Sequence, residues 1–136
     1  MSKREEAMKL FKNGYNCCQA VVGAFSDDIE IDFKTAMLIS SSFGGGMGRM
    51  REVCGTVSGM LMVLGLKFGY SNPKVFAEKT EHYKRVQECA GKFKEMHGSI
   101  ICRELLGLNI NKGEFDNHIP SARSKEYYLS LIHISE

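Results

Sequence analysis

No stretch of this chain is apolar for long enough to cross a membrane. The longest apolar run, Val53 to Leu66, is short for a span and is interrupted by Thr56, Ser58 and three glycines. The opening residues, MSKREEAMKLFKNG, are charged and lack the apolar segment of a secretory signal. Charge of one sign is missing too: 18 basic and 16 acidic residues are interspersed and leave a formal net charge of only +2. Neither nucleic acid nor a membrane surface is therefore an expected partner. These absences lead to the expectation of a soluble chain in a reducing cytoplasm.

Several chemical signatures are absent as well. No CxxC pair occurs, which removes a thioredoxin-type motif and a zinc knuckle, and no C-x-x-C-H run is present to attach haem. A nucleophile elbow, an HExxH pair and a Glu-x-x-His motif are also missing. The run GGGMG, residues 44 to 48, lies beside Arg49 and Arg51 and raises the idea of a phosphate nest. It matches neither the P-loop nor the complete dinucleotide fingerprint, and it follows a helical stretch instead of a strand. Nucleotide binding is not expected.

What is present reads as one folded helical domain. At 136 residues, 43% hydrophobic and 25% charged, the chain can bury a core. A single domain is expected over residues 1–120, followed by a tail, 121–136, whose ending SLIHISE looks atypical or non-native. Ala7, Leu10 and Phe11 form a helical stripe that stops at Asn13-Gly14. Asn16 can cap a second helix carrying Cys17, Val21, Ala24 and Phe25, and Asp32 a third with Ala36, Met37 and Ile39. After the glycine run, VCGTVSGMLMVLGLKF is apolar nearly all round, the pattern of a buried central helix. Asn72-Pro73 offers a start for a long amphipathic helix with Phe76, Tyr83, Val86, Ala90 and Phe93, ending near Gly98. Ser99 can cap a short last helix, IICRELLG. No alternating strand signal competes. The expected fold is all-α, a compact bundle of about five to six helices around Val53–Phe68.

Five cysteines remain to be explained: Cys17, Cys18, Cys54, Cys89 and Cys102. An odd, scattered set is not a secreted disulfide framework. Cys17, Cys54 and Cys102 each fall in or near an expected first helical turn, where unpaired N–H groups and the helix dipole favour a thiolate. Thiolate is the form that attacks disulfides and binds soft metals. Adjacent helical residues point about 100° apart, so Cys17 and Cys18 cannot easily serve one site. Cys18 and Cys89 read as packing residues. Gly55 and Gly59, four apart, place a bare face on the central helix, for close approach of another helix or of a cofactor.

Three blocks, GYNCCQAVVGAF, FGGGMGRMREVCGTVSGMLMVLGLKFG and GSIICRELLGLN, together resemble the redox-active family named for its C–GCAxxG–C–C pattern. The resemblance covers roughly residues 4 to 110. It implies a helical fold and redox-active cysteines, and the family is similar to part of the split-Soret cytochromes, which carry an iron–sulfur centre as well as haem. Cys17, Cys54 and Cys102 match the family cysteines by position, the same trio picked by helix starts. The central block here, VCGTVSG, is a looser form of the motif. The family's final cysteine is expected before a downstream proline, where this chain has Ile119 before Pro120.

The resulting expectation is a small redox protein. Cys17, Cys54 and Cys102 are the expected catalytic residues and, in the alternative, the expected metal ligands of an iron–sulfur cluster or other soft metal. Gly44, Gly45, Gly46, Gly48, Gly55 and Gly59 are the expected cofactor-side residues. Cys18, Cys89 or His118 are the substitutes at hand for the missing fourth ligand. With that ligand absent, dithiol chemistry is favoured over stable metal binding. A redox partner of unspecified identity is expected, and a homodimer is allowed. The competing reading is a helical binding or scaffold module, with structural cysteines and an adaptable surface around Met47, Met50, Met60 and Met62.

Overall fold

A computed structural model describes residues 2–111 and 113–120, so the tail expected at 121–136 lies outside the described residues. Seven helical segments follow one another: α1 (Lys3–Lys12), α2 (Cys17–Ala24), α3 (Phe33–Ser40), α4 (Gly44–Met47), α5 (Gly55–Phe68), α6 (Phe76–His97) and α7 (Cys102–Leu105). A 3₁₀ turn, Ser41–Phe43, links α3 to α4. Among the described residues there is no strand, only one isolated antiparallel bridge between Val53 and Ile101. None of the described helices is long and apolar enough to cross a membrane. The all-α expectation holds.

The helix starts follow from their caps. Ser2 accepts from the Glu5 amide, and Asn16 forms a reciprocal capping box with Gln19. Asp32 accepts from the Thr35 amide at the start of α3. Each such cap is worth about 1 kcal/mol. Gly98, at φ +89°, ends α6 in the left-handed conformation that glycine adopts without cost. Two expected starts are corrected. Asn72 does not cap α6: its carbonyl and side chain fold the Pro73-Lys74 turn back, and the helix begins at Phe76. Ser99 lies ahead of α7, where its hydroxyl accepts from the Ile101 amide and bonds Glu104, so the helix begins at Cys102.

The buried centre is α2, not the whole of α5. Six of the eight α2 residues are buried, and α2 packs chiefly on α5 and α1, then on α3. Successive residues of α2 look into two different cores. Cys17 and Ala20 join Phe11, Cys54, Val57 and Phe93, whereas Cys18 and Val22 join Ala36 and Met37. Helix α5 is buried over Gly55–Val57 and again at Gly59 and Val63, but Leu66 and Phe68 are exposed. Its closing turns run past the end of the short α2, so nothing of α2's length remains to cover them. On α6 only Phe93 is buried, and Phe76 and Tyr83 of the expected apolar stripe are exposed.

Candidate functional site

The stretch from Gly44 to Arg51 is a left-handed turn rather than a normal helix. Gly45, Gly46, Met47, Gly48 and Arg49 have φ between +61° and +69° in succession, and Arg51 stands at +60°. The Gly48 amide bonds the Gly44 carbonyl at 3.0 Å and closes the turn. Left-handed backbone costs an L-residue on the order of 1–2 kcal/mol, so Met47, Arg49 and Arg51 need compensation from outside the turn. Asp116 supplies it. Its carboxylate takes Arg49 Nη2 at 3.2 Å and Arg51 Nε at 3.0 Å, while its amide donates to the Arg49 carbonyl at 3.2 Å. Arg49 Nε also donates to the Asn117 carbonyl at 2.8 Å.

This turn is packed between the cysteines. A Cβ on Gly46 would come within 2.6 Å of Cys102 Cβ and 2.7 Å of Arg51 Cα. One on Gly55 would collide with Cys17 Sγ, and one on Gly44 with the Asn16 side chain. Gly44, Gly46 and Gly55 are bare because the Cys17 and Cys102 segments occupy the space. Gly59 serves helix packing instead: its Cβ would meet Val21 Cβ at 2.9 Å. Gly45 faces the Arg49 side chain, and Gly48 has only the Ser42 carbonyl near it.

The Val53–Ile101 bridge joins the chain segments that carry the other two cysteines. Cys54 N donates to Ile100 O at 2.8 Å and Cys102 N to Glu52 O at 2.6 Å. Side chains alternate along extended backbone, so residues 54 and 102 fall on the same side of the bridge, in a diagonal relation. A regular ladder holds such a pair about 7–8 Å apart. That is near the upper limit of about 7 Å between Cα atoms for a disulfide. Cys17 adjoins this pair from α2. It shares the Phe11–Phe93 core with Cys54 and lies near enough to Cys18, Cys54 and Cys102 to add to the rise of each thiol. The three thiols thus come from three chain segments to one region, all buried and all reduced.

At Cys54 and Cys102 burial opposes the expected thiolate character. It pushes the Cys54 thiol up to about 11, and Cys17 adds to the rise against the opposing amides of Thr56 and Val57. Burial also raises Cys102, while the Arg51 guanidinium pulls it down. A helix start stabilises a charge by roughly 0.3–1 kcal/mol, less than desolvation costs here. Helix α7, moreover, is a single turn. Cys18 is pushed by burial up to about 12 and lies 3.9 Å from Met62 Sδ, within the second core. Cys89 is half-buried on α6, raised by burial against the pull of Lys92.

The scan against family models matches residues 15–128 to the family described as "Putative redox-active protein (C_GCAxxG_C_C)". The chain belongs to this family. The search of curated proteins and the search of solved structures each give no match. Within the C_GCAxxG_C_C frame, the trio of helix starts and the glycine turn form one continuous region. Arg51 and Asp116 belong to it as well; the sequence alone points to Arg51 only as part of a phosphate nest, and to Asp116 not at all. Arg51 could be suspected from its place after the glycine run, but Asp116 lies 65 residues further on with no motif around it. His118 is exposed, as a solvated loop histidine would be, and Met60 and Met62 pack against the two cores instead of forming a free surface.

A soft metal or cluster is tested by the donor set. Among the described residues, no three histidine, cysteine, aspartate or glutamate side chains are grouped to hold a metal ion. The arrangement offers buried thiols, one of them beside the buried Arg51 guanidinium.

Proposed function

We propose that this chain is a dithiol redox protein in which Cys17 is the common member of the reacting pair. The observation that carries the reading is the packing of Cys17 against the bare backbone of Gly55, in one buried region with Cys54 and beside Cys102. Its membership of a redox-active family supports it.

The step balances as thiol–disulfide exchange. A cysteine thiolate attacks one sulfur of a disulfide R–S–S–R, forming a mixed disulfide and releasing RS⁻, which takes a proton. Cys17, deprotonated in turn, attacks the bound protein sulfur and releases the second RSH. Two protein thiols lose two electrons and two protons, and the substrate disulfide gains them. The substrate class is a disulfide small enough to approach the glycine turn.

The test equilibrates the full chain in glutathione redox buffers and counts alkylated thiols by mass spectrometry. One intramolecular disulfide that includes Cys17 is expected, and Cys17→Ser should abolish it. Five free thiols at every oxidising ratio would overturn the reading and leave the cysteines as packing. Iron and sulfide analysis after anaerobic purification tests the cluster alternative separately; stoichiometric metal bound through Cys17 would displace the dithiol reading.

A further inference from the structure

Arg51 is an unusual residue to find beside a thiol in a core. Only 6% of it is exposed, and its backbone is held at φ +60° by the ladder to segment 101–103. The Arg51 carbonyl accepts from the Arg103 amide and from Arg103 Nη1, both at 3.2 Å. Arg103 is in turn paired with Glu52 at 3.2 Å. The Arg51 backbone is therefore fixed, and its guanidinium has further partners. Its Nε faces Asp116 Oδ2, and its Nη1 donates to Cys102 Sγ at 3.5 Å, within reach for a sulfur acceptor. Among the described residues no cation acts on Cys54 as Arg51 does on Cys102; the groups that lower it are the Thr56 hydroxyl and the Thr56 and Val57 amides. Burying a guanidinium costs several kcal/mol unless it is paired. Asp116 provides the pairing. The contact to Cys102 is not needed for it, so its direction calls for a chemical reason.

We propose that Arg51, oriented by Asp116, selects Cys102 as the sulfur that attacks the substrate disulfide. This rests on the dithiol reading and deepens it. When Cys102 gives up its proton, negative charge sits on the sulfur next to Nη1, and a charge-assisted hydrogen bond in a water-poor site favours that thiolate over the others. Its attack on a substrate sulfur passes the charge to the departing RS⁻, which takes a proton; Cys17, deprotonated in turn, then attacks Cys102 Sγ and releases the second RS⁻. Cys17 then resolves the mixed disulfide, and Cys54 stays a bystander. Arg51 is a catalytic residue in this scheme because it touches the reacting sulfur; Asp116 is a positioning residue.

The test uses the full chain, reduced and then exposed briefly to 5,5′-dithiobis(2-nitrobenzoate) at pH 7.5, with the first modified cysteine identified by mass spectrometry in a Cys17→Ser background. Cys102 should be labelled about ten-fold over Cys54, the factor that one favourably placed charge commonly supplies. Arg51→Met should erase that ratio, Arg51→Lys should restore part of it, and Asp116→Asn should reduce it. Loosened packing would speed labelling of all cysteines together, so the ratio within one molecule separates electrostatics from damage. If Arg51→Met fails to fold, the Arg51→Lys and Asp116→Asn ratios decide. An unchanged ratio in the folded variants, or first labelling at Cys54, overturns the proposal. Failure of the dithiol reading is distinct: the ratio would persist while no Cys17 disulfide forms in the redox buffers.

Discussion

A buried thiol stabilises a fold only while it stays protonated. Burial first, and then the neighbouring cysteines, push Cys18 up to about 12, and burial with Cys17 pushes Cys54 up to about 11. The unfolded chain ionises each near its ordinary value of roughly 8.5. A raised folded-state value means that the contribution is complete below the unfolded value and disappears as the pH climbs through the folded one. Between about pH 9 and 11 each thiol should therefore lower the unfolding free energy by up to about 1.4 kcal/mol per pH unit. Urea denaturation from pH 8 to 10.5 checks this. Cys18→Ala should begin less stable but lose stability less steeply with pH than the parent. Lysine titration is common to both and cancels. Parallel slopes would mean that Cys18 is not the desolvated group its place in the second core implies.

Glycines set the spacing between elements, and they separate into two kinds. At Gly55 an added methyl group would meet Cys17 Sγ and the Cys18 amide of α2 and the Phe43 carbonyl of the 3₁₀ turn, so backbone on two sides of α5 would have to give. Gly65, ten residues along α5, has open space where its Cβ would be. Gly55→Ala should thus destabilise by about 1–3 kcal/mol, as overpacking does. Gly65→Ala should stabilise by about 0.5–1 kcal/mol through the lower entropy of the unfolded chain. Thermal denaturation of the two variants decides, and equal signs would refute the packing of α2 against α5. Much at this scale was legible beforehand. Asn16 and Asp32 announce caps through local chemistry that needs no tertiary partner, and Gly98 announces a stop. The start of α6 was not legible, because Asn72 is equally able to close a turn and nothing local chooses between the two. Nor was the left-handed turn. Arg49 and Arg51 are held at positive φ by Asp116 and the 101–103 segment, partners that lie far along the chain.

For the molecule as a whole, the two cores and the thiol region gather around α2, and α6 is buried only near its C-terminal end, its middle making ring contacts with Phe68 and Tyr70. That explains which parts of the site could be read from sequence. The Cys17, Cys54 and Cys102 positions follow from helix starts, which are local; the Arg51–Asp116 pair follows from closure of the chain upon itself, which is not. It also sets an uneven distribution of stability. Phe93 fills the core shared by Phe11, Cys17, Cys54 and Val57, and is the only buried residue of the 22 in α6. Phe76, at the other end of the helix, is 72% exposed. Removing the Phe93 ring should cost about 3–5 kcal/mol, the usual penalty for an aromatic taken from a core. Phe76→Ser should stay within about 0.5 kcal/mol of the parent, as surface changes do. Native-state hydrogen exchange should show the same gradient. Amides of α2 should open only with global unfolding, and those of the first turns of α6 at a much lower free energy, because few apolar contacts must break to release them. In Phe93→Ala the whole of α6 should join that low-energy class, and Cys54, which shares the Phe93 core, should become faster to alkylate. If the first turns of α6 are instead as protected as α2 in the parent, or if Phe76→Ser costs as much as Phe93→Ala, then α6 is anchored along its length and the view of a bundle fastened through Phe93 fails.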